Sequence, residues 1–355
     1  MAPVRRPPQF ISKRKGAMAS SESAVGATGT NEPPLSGEPD PQMQAVLDAL
    51  EALGVEPIET LSAEEARKQP TPADAAEKVM KAQGKTTPPH PGAGSDDRTI
   101  PGPGGPIPVR VYTPEQGDGL FPLVVYYHGG GWVIADKDVY DAGARALSGL
   151  AGAVVVSVDY RQGPEDRFPA AHDDAFAAYR WALENAASLR ADTGRAALVG
   201  ESAGGGLAVA TAIAARDAGV PLPRAVVSVY PIAGTDTTTP SYLANADAKP
   251  LNRPMMEWFF GKYLNGPQDR RDPRVDLVNA DLRGLPPTTI INAQIDPLRS
   301  DGEILAERMR AAGVEVDQKT YPGVTHEFFG MGAVVDRALE AEQMAAGALL
   351  RAFQG

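Results

Sequence analysis

The chain has 355 residues, and its 34 lysine and arginine residues against 45 aspartate and glutamate residues give a net charge of −11. This acidic balance argues against a nucleic-acid-binding protein, which needs a basic surface to neutralise phosphates. The sequence contains no cysteine, which excludes disulfides, thiolate metal sites and a cysteine nucleophile. Chemistry that needs an imidazole must use one of four histidines: His90, His128, His172 or His326.

The amino-terminal part of the sequence lacks the patterns of membrane-spanning and secreted proteins. Its basic first residues are not followed by the apolar segment of a secretory signal. No apolar run approaches the roughly 18 residues that a transmembrane helix needs. We therefore predict a cytoplasmic protein without a membrane span. Residues 1–39 are rich in Ser, Gly and Pro without periodicity, and we predict that they form a flexible extension.

Residues 40–98 are predicted to contain short amphipathic helices. Apolar residues spaced three and four apart predict a first helix that ends at Gly54. Ser62 and Glu65 form a capping box ahead of a second helix, and Thr71-Pro72 opens a third. Because these helices precede the predicted strands, we predict that this segment belongs to a helical cap.

From Thr99 onward, short runs of β-branched and aromatic residues alternate with helical stretches. The strands are predicted at Ile107–Tyr112, Leu123–Tyr127, Ala153–Asp159, Ala196–Val199, Ala225–Tyr230, Thr288–Asn292 and Glu315–Tyr321. The helices are predicted at Asp141–Leu150, Ala170–Ala187, Gly204–Ala218, Ser300–Ala312 and Val334–Phe353. This alternation is typical of the α/β class, with a mostly parallel central sheet and helices on both faces.

Residues 232–285 interrupt this alternation. They contain a Pro/Thr-rich loop and an aromatic helix around Met255–Tyr263. Long insertions in such a sheet usually pass over its active face and carry function. We therefore predict a catalytic domain over residues 99–355, with residues 232–285 as an insertion that completes the helical cap.

The segment Gly200–Gly204 fits the pattern G-x-S-x-G around Ser202. It follows an apolar strand and opens an alanine-rich helix, which is the setting of a nucleophile elbow. The turn requires small neighbours beside the serine, and the helix N-terminus offers N–H groups to an oxyanion. The alternative is a glycine-rich turn without a catalytic role, because so short a motif also occurs by chance.

A glycine-rich loop, His128–Trp132, follows the strand Leu123–Tyr127 and has the sequence His-Gly-Gly-Gly-Trp. Consecutive glycines let the backbone turn its N–H groups toward one point, as in the second half of an oxyanion hole. A phosphate-binding loop is the alternative, but the G-x-G-x-x-G spacing and the lysine of a P-loop are missing. We predict that His128 braces the loop by hydrogen bonding and does not act as a base.

An activated serine needs a base, and His326 is the favoured candidate. It follows the last predicted strand, whereas His90 lies in a Pro/Gly-rich linker and His172 at the start of a helix. The base in turn needs a carboxylate that fixes its tautomer. Asp296 follows the strand Thr288–Asn292 and is predicted to supply that carboxylate.

Asp301 is the competing carboxylate, but it is predicted to lie in the following helix, where it caps the helix or faces solvent. Ser202, Asp296 and His326 occur in the chain order of α/β-hydrolases, which differs from the two orders known in serine proteases. Each of the three follows a predicted strand of the same sheet. The sequence therefore predicts that they meet as a catalytic triad.

From Thr99 to the C-terminus, the chain resembles the hormone-sensitive-lipase-like esterases, the bacterial family IV of α/β-hydrolases. The matching segments are His128–Trp132, Asp159–Arg161, Phe168–Ala171, Gly200–Gly205, Asp296–Leu298 and His326. The resemblance implies an α/β-hydrolase fold with a helical cap. It implies Ser202 as nucleophile, His326 as general base and Asp296 as the partner of the base. It further implies that the N–H groups of Gly130, Gly131 and Ala203 form the oxyanion hole.

The sequence departs from the family pattern at two places. After Asp-Tyr-Arg the family has Leu-Ala-Pro-Glu-His, whereas residues 162–166 of this chain are Gln-Gly-Pro-Glu-Asp. In the elbow, Glu201 stands where the family more often has aspartate or threonine. Neither departure removes a predicted triad residue, so both concern the support of the elbow and the shape of the pocket.

The predicted function is that of a serine carboxylesterase that hydrolyses short- to medium-chain esters through an acyl-enzyme. An amide or lactone hydrolase, a deacetylase or a transacylase would use the same triad. A non-catalytic ligand receptor is disfavoured, because receptors that resemble this family lack the catalytic histidine, which this chain has at position 326. The predicted chemistry requires no metal and no organic cofactor.

Aromatic side chains near the predicted site are candidates for substrate binding: Trp132, Tyr160, Trp258 and Phe259. The alternative is that they form ordinary core of the cap.

The predicted partner is a small-molecule ester. The resemblance and an exposed late strand, Glu315–Tyr321, also favour a homodimer.

Overall fold

An eight-stranded sheet forms the centre of the protein. The computed structural model describes residues 1–3, 32–85, 93–115, 117 and 119–354, and the sheet lies within the unit Pro33–Gly355. The strands are β1 (Ala93–Gly102), β2 (Gly105–Pro114), β3 (Phe121–Tyr127), β4 (Val154–Val158), β5 (Ala191–Glu201), β6 (Ala225–Val229), β7 (Thr288–Ile295) and β8 (Val316–Thr325).

The strand order is β1-β2-β4-β3-β5-β6-β7-β8. β2 pairs antiparallel with β1 and with β4, and all neighbours from β4 to β8 pair in parallel. The predicted mostly parallel sheet is therefore confirmed. Because the strands from β3 to β8 run in one direction, their carboxyl ends meet at one edge, and the loops that leave this edge can build a common site.

Helices cover both faces of the sheet. In the part of the chain that the structure describes, the α-helices are α1 (Pro41–Glu51), α2 (Ala63–Ala66), α3 (Pro72–Ala82), α4 (Asp141–Ala151), α5 (Ala170–Glu184), α6 (Ala203–Ala218), α7 (Pro240–Ala244), α8 (Arg253–Tyr263), α9 (Arg299–Ala311) and α10 (Asp336–Gln354). None of these helices combines the length and apolarity needed to cross a membrane.

Two apolar cores flank the sheet. On one face α5, α6 and α9 bury side chains such as Leu207 and Leu305. On the other face α4 and α10 bury side chains such as Leu147 and Leu349. Every residue of β3, β4 and β7 is buried between these layers. The sequences of β3 and β4 are accordingly almost entirely apolar, without the alternation of a strand that has one exposed face.

Strand β1 is absent from the strands predicted above. Its sequence is largely polar, and only Ala93 and Ile100 are buried. It pairs with β2 along its whole length. This strand is therefore defined by its pairing with β2 and not by the burial of an apolar face. Its sequence has no apolar pattern from which the strand could be predicted.

The second and third helices begin where their capping residues predict. Ser62 and Glu65 form the reciprocal capping box of α2. Thr71 caps α3, and Pro72 is the first residue of that helix. These caps satisfy N–H groups that would otherwise lack partners at the helix ends.

Arg67, which follows α2, fastens the N-terminal helices to the loops around the sheet. Its guanidinium donates to the carbonyl oxygens of Val133 at 2.8 Å and Gly163 at 2.7 Å. It also forms two hydrogen bonds with the carboxylate of Glu165. Gly163 and Glu165 lie in the segment that departs from the family pattern, so this segment contributes a contact to the predicted cap.

Part of the extension predicted to be flexible is bonded to the sheet. Residues 4–31 lie outside the described residues. The carbonyl oxygen of Pro34 accepts hydrogen bonds from Gln294 and Arg299, and that of Leu35 accepts one from Asn245. From Pro34 onward the extension is therefore anchored beside the end of β7, where polar side chains satisfy its backbone carbonyls.

Candidate active site

Ser202 lies on the sharp turn between β5 and α6, with φ of 56° and ψ of −118°. Non-glycine residues rarely adopt this strained conformation. A Cβ atom on Gly200 would lie 2.0 Å from the carbonyl oxygen of Gly204, and one on Gly204 would lie 2.0 Å from that of Tyr127. The turn therefore needs glycine at both positions, and it places the serine side chain at the edge of the sheet, at the base of a cavity.

Ser202, His326 and Asp296 form one hydrogen-bonded chain. The Ser202 Oγ lies 2.9 Å from His326 Nε2, and His326 Nδ1 lies 2.7 Å from Asp296 Oδ2. Because a carboxylate can only accept, Nδ1 carries the hydrogen and Nε2 is free to accept the serine proton. The N–H of Leu298 donates to Asp296 Oδ1 at 2.8 Å, which fixes the carboxylate. The structure thus brings together the three residues predicted as a triad.

Nearby carboxylates influence the charge of His326. Burial opposes the charged imidazolium, but the nearby carboxylates of Asp296 and Glu327 outweigh it and raise the pKa of His326. A base whose charged form is favoured accepts a proton more readily. The surroundings of His326 therefore suit proton transfer from Ser202.

Asp301 does not cap its helix or face solvent as predicted. It lies buried in α9, and its carboxylate accepts hydrogen bonds from the N–H groups of Ala233 and Gly234. Burial raises the pKa of Asp301 to about 8. The carboxyl group is drawn inward because the loop after β6 presents two N–H groups that need an acceptor.

The other described histidines have structural partners. His172 is buried, contacts the Tyr263 hydroxyl through Nδ1 and the Arg274 carbonyl through Nε2, and burial lowers its pKa to about 3. His128 is buried with Nδ1 2.8 Å from the carbonyl oxygen of Gly129. The contact of His128 agrees with its predicted role as a brace. His90 lies outside the described residues.

The glycine loop faces Ser202. Gly130 and Gly131 have φ of 87° and 59°, a region that glycine adopts without strain. In the described part of the chain, the N–H groups of Gly130 and Gly131 have no hydrogen-bond partner within the protein. Ala203 is the first residue of α6, and N–H groups of a first helical turn have no partner within the helix. These donors are therefore available to an oxygen bound beside Ser202.

Close packing also requires the glycines of this loop. A Cβ atom on Gly130 would lie 2.1 Å from the carbonyl oxygen of Ile134, and one on Gly131 would lie 2.2 Å from the Phe259 ring. A larger residue at either position would displace the loop or the helix α8 above it. The loop therefore owes its shape to both the conformational freedom and the small size of glycine.

A cavity of about 380 Å³ opens above Ser202. Ser202, His326, Gly130 and Gly131 lie at its base. Its apolar lining comes mainly from α1, α8 and the residues between α1 and α3: Leu47, Leu50, Val55, Ile58, Ala66, Leu251, Met255, Met256 and Phe259. Apolar walls with few polar groups at the base are typical of sites for small organic molecules.

Of the four aromatic residues predicted to bind substrate, Phe259 lines this cavity, and the structure places the other three elsewhere. Trp132 is buried and stacks on Tyr263, with ring centroids 4.9 Å apart. The Tyr160 hydroxyl donates to the carbonyl oxygen of His128 at 2.7 Å. The indole N–H of Trp258 donates to the carbonyl oxygen of Leu61, on the N-terminal segment. These three side chains support the walls, because each has a packing or hydrogen-bonding partner away from the cavity.

The contacts of two carboxyl groups beside the candidate triad were not predicted from the sequence. Glu201 is buried and accepts hydrogen bonds from the Tyr126 and Tyr230 hydroxyls, and burial raises its pKa to about 8. Tyr140 donates to Glu327, the residue after His326. Glu201 already stands out in the sequence as a departure from the family pattern. For Glu327 the one signal is its place directly after His326 in the chain.

Among the described residues, no group of three or more histidine, aspartate or glutamate side chains is arranged to hold a metal ion. The site is instead built from a strained serine at a strand-to-helix turn, a histidine and carboxylate from later strand ends, and a facing glycine loop. On a mostly parallel sheet covered by helices, this arrangement defines the α/β-hydrolase class.

Comparisons with known proteins agree with this class. The model of a family described as having the alpha/beta hydrolase fold matches residues 124–330. The chain is 43% identical over 251 residues to carboxylesterase NlhH of Mycobacterium tuberculosis, which covers 70% of this chain and 79% of that protein. It is 35% identical over 319 residues to an ethyl acetate hydrolase of Pseudomonas putida, covering 87% of this chain and 98% of that protein.

Solved structures show the same similarity. An esterase from the archaeon Pyrobaculum calidifontis superposes with a TM-score of 0.79 and 36% identity, covering 89% of this chain and 99% of that chain. The chain therefore belongs to the α/β-hydrolase family, in the group that resembles hormone-sensitive lipase, and it is a carboxylic ester hydrolase. The family and enzyme class predicted from the sequence are confirmed.

Proposed function

We propose that the enzyme hydrolyses short- to medium-chain carboxylic esters, with Ser202 as nucleophile, His326 as base and Asp296 as its partner. The observation that carries this proposal is the chain of hydrogen bonds at 2.9 and 2.7 Å that joins the three side chains at the base of an apolar cavity. The three residues come from different loops at one edge of the sheet. Their convergence is expected for a nucleophile, a base and an orienting group.

In the first half of the proposed reaction, Ser202 Oγ attacks the ester carbonyl carbon while its proton passes to His326 Nε2. Asp296 stabilises the imidazolium through its bond to Nδ1. The N–H groups of Gly130, Gly131 and Ala203 donate to the carbonyl oxygen as it becomes an oxyanion. Each such donor is worth about 2.7–4 kcal/mol in enzymes where it has been removed.

In the second half, the imidazolium of His326 protonates the leaving alcohol, and the acyl group remains on Ser202. Water then enters, gives a proton to His326 Nε2 and attacks the acyl carbon. Collapse of the second oxyanion returns the proton to Ser202 Oγ and releases the acid. Every proton in this sequence is exchanged with Nε2, which is the atom that the structure turns toward Ser202.

The cavity supports a preference for short acyl chains. At about 380 Å³ it lies at the small end of the roughly 300–1,000 Å³ typical of ligand sites. Its lining is apolar, so it favours hydrocarbon groups over charged ones. The relative named an ethyl acetate hydrolase and another named an acetyl-hydrolase, from Streptomyces hygroscopicus, are consistent with small acyl groups.

We expect hydrolysis of p-nitrophenyl esters to peak between acetate and hexanoate. We expect kcat/KM for palmitate to be lower by about tenfold or more, because much of the longer chain would extend beyond a cavity of this size. Initial rates across the series from acetate to palmitate, with Ser202→Ala as background, test this expectation. A maximum at palmitate would contradict the proposed chain length. Turnover that Ser202→Ala retains in full would contradict the proposed nucleophile.

Two further predictions from the sequence belong to this proposal. β8 is the last strand of the sheet, and the homodimer favoured by the resemblance would have this edge available for an interface. The cytoplasmic location stays a prediction. Light scattering of the purified enzyme and fractionation of the cells that produce it test these two points.

A further inference from the structure

Glu327, which directly follows His326 in the chain, faces the candidate base. Its Oε1 lies 3.7 Å from His326 Nε2. Glu327 lines the cavity together with Ser202 and His326. Its φ of 68° is a conformation that is rare for non-glycine residues. Strain of this kind persists where the surrounding structure holds a residue in place, and it is common at functional sites.

Tyr140 holds the Glu327 carboxylate from the opposite side. The Tyr140 hydroxyl lies 2.7 Å from both carboxylate oxygens and donates to them. This hydroxyl also lies against the glycine loop, since a Cβ atom on Gly129 would stand 2.2 Å from it. Tyr140 therefore ties the loop that carries His326 to the loop of the candidate oxyanion hole.

We propose that Glu327 is a positioning residue that acts through His326 and stabilises its imidazolium by charge. This inference rests on the proposed function, in which His326 accepts the serine proton. When Nε2 becomes protonated, the positive ring lies between Asp296 at Nδ1 and Glu327 beside Nε2. Glu327 exchanges no proton itself. Its negative charge stabilises the imidazolium more than the neutral ring. Because the imidazolium forms in the transition state, this difference raises the rate.

Among the groups around His326, Glu327 is the carboxylate best placed to act on Nε2. The titratable side chains that face the ring or act on it are Asp296, Glu327, Glu201, Tyr230 and Ser202. Asp296 already binds Nδ1. Burial raises the pKa of Glu201 to about 8, and its charge acts on His326 more weakly than that of Glu327. The Tyr230 hydroxyl donates to Glu201. The carboxylate beside Nε2 is therefore that of Glu327.

Burial also raises the pKa of Glu327, while the His326 charge and the hydrogen bond from Tyr140 oppose this effect. The Tyr140 contact thus has a second consequence beyond geometry. It favours the ionised form of Glu327, which is the form that stabilises an imidazolium.

Glu327→Gln tests the charge alone, because the glutamine carbonyl oxygen still accepts from Tyr140. Loss of the negative charge lowers the pKa of His326, so the acid limb of the pH profile of kcat/KM moves to lower pH. From the 3.7 Å separation we expect a shift of about one pH unit and about a tenfold lower kcat, with KM nearly unchanged. The measurement is the pH profile of p-nitrophenyl butyrate hydrolysis by the full chain.

Glu342→Gln is the matched control. Glu342 is another buried carboxyl group, and it accepts from the N–H of Gly332. The main charges that act on His326 are those of Asp296, Glu327 and Glu201, whereas the charge of Glu342 acts on Glu201. We expect its replacement to leave the acid limb in place. Glu327→Asp retains the charge farther from Nε2, and we expect its acid limb and kcat to lie between those of the wild type and Glu327→Gln.

An unmoved acid limb in folded Glu327→Gln, or an equal shift in Glu342→Gln, would overturn the inference. Should Glu327→Gln not fold, Glu327→Ala, which also removes the charge, decides. A limb displaced to lower pH supports the role, whereas a profile and kcat equal to the wild type contradict it. The wild-type rate distinguishes the two proposals. If the proposed function fails, the wild type hydrolyses no ester, whereas this inference fails only through the profile of a wild type that is active.

Discussion

Ser202→Ala is expected to lower kcat for p-nitrophenyl butyrate by about 10⁴–10⁶-fold, with a KM of the same order. The oxygen proposed to attack the ester is removed, while the cavity and the donors of the glycine loop remain. Those donors and substrate binding account for the residual rate expected above that of water, as in hydrolases whose triad has been removed. Initial rates and melting temperature, measured on the same preparations, test the expectation.

Ser148→Ala provides a matched control. Ser148, in α4, is also buried, and its hydroxyl donates to the carbonyl oxygen of Ala153, which follows that helix. Its replacement should lower stability by about 1 kcal/mol and leave kcat within about twofold. A folded Ser202→Ala variant that retained more than about a tenth of the wild-type kcat would show that another group attacks the ester.

Asp296→Asn is expected to lower kcat by about 10⁴-fold while the protein remains folded. The reason lies in the tautomer of His326. The N–H of Leu298 donates to Oδ1 of residue 296, so an asparagine places its carbonyl oxygen there and turns its amide nitrogen toward His326 Nδ1. Nδ1 must then accept, the ring proton moves to Nε2, and Nε2 can no longer take the proton from Ser202.

Asp301→Asn tests the competing carboxylate. Asp301 accepts the N–H groups of Ala233 and Gly234, and an asparagine carbonyl oxygen can accept both. Because burial raises the pKa of Asp301 to about 8, the carboxyl group is already mostly protonated at pH 7. We expect kcat within about threefold of the wild type. The reverse pattern, with activity lost in Asp301→Asn and kept in Asp296→Asn, would move the orienting role to Asp301.

Much of the candidate site is predictable from the sequence, because its residues lie at the ends of apolar strands. The strands before Ser202 and Asp296 are β5 and β7, and each contains a short apolar run, Ala196–Val199 and Ile290-Ile291, that marks it in the sequence. Parallel strands bring their carboxyl ends to one edge, so chain order and strand position together indicate the triad. The turn around Ser202 also requires glycine at positions 200 and 204, and these glycines are visible in the sequence as the pattern G-x-S-x-G.

What the sequence does not predict depends on tertiary contacts. Trp132, Tyr160 and Trp258 have the composition of a binding pocket, yet each is oriented away from the cavity by a partner distant in the chain. Asp301 has the helical position of a surface residue but is drawn inward by the N–H groups of a loop. The Glu327 carboxylate is held by a hydrogen bond from Tyr140, which is far away in sequence.

The most direct test of the account is to identify the residue that becomes covalently modified. The enzyme is inactivated with an organophosphate ester and digested with trypsin. The peptide Ala196–Arg216 then contains Ser202 as its single serine. We predict one dialkylphosphoryl group per chain on Ser202, formed in step with the loss of activity and absent from Ser202→Ala. Complete inactivation with Ser202 unmodified would contradict the assignment of this serine as the nucleophile.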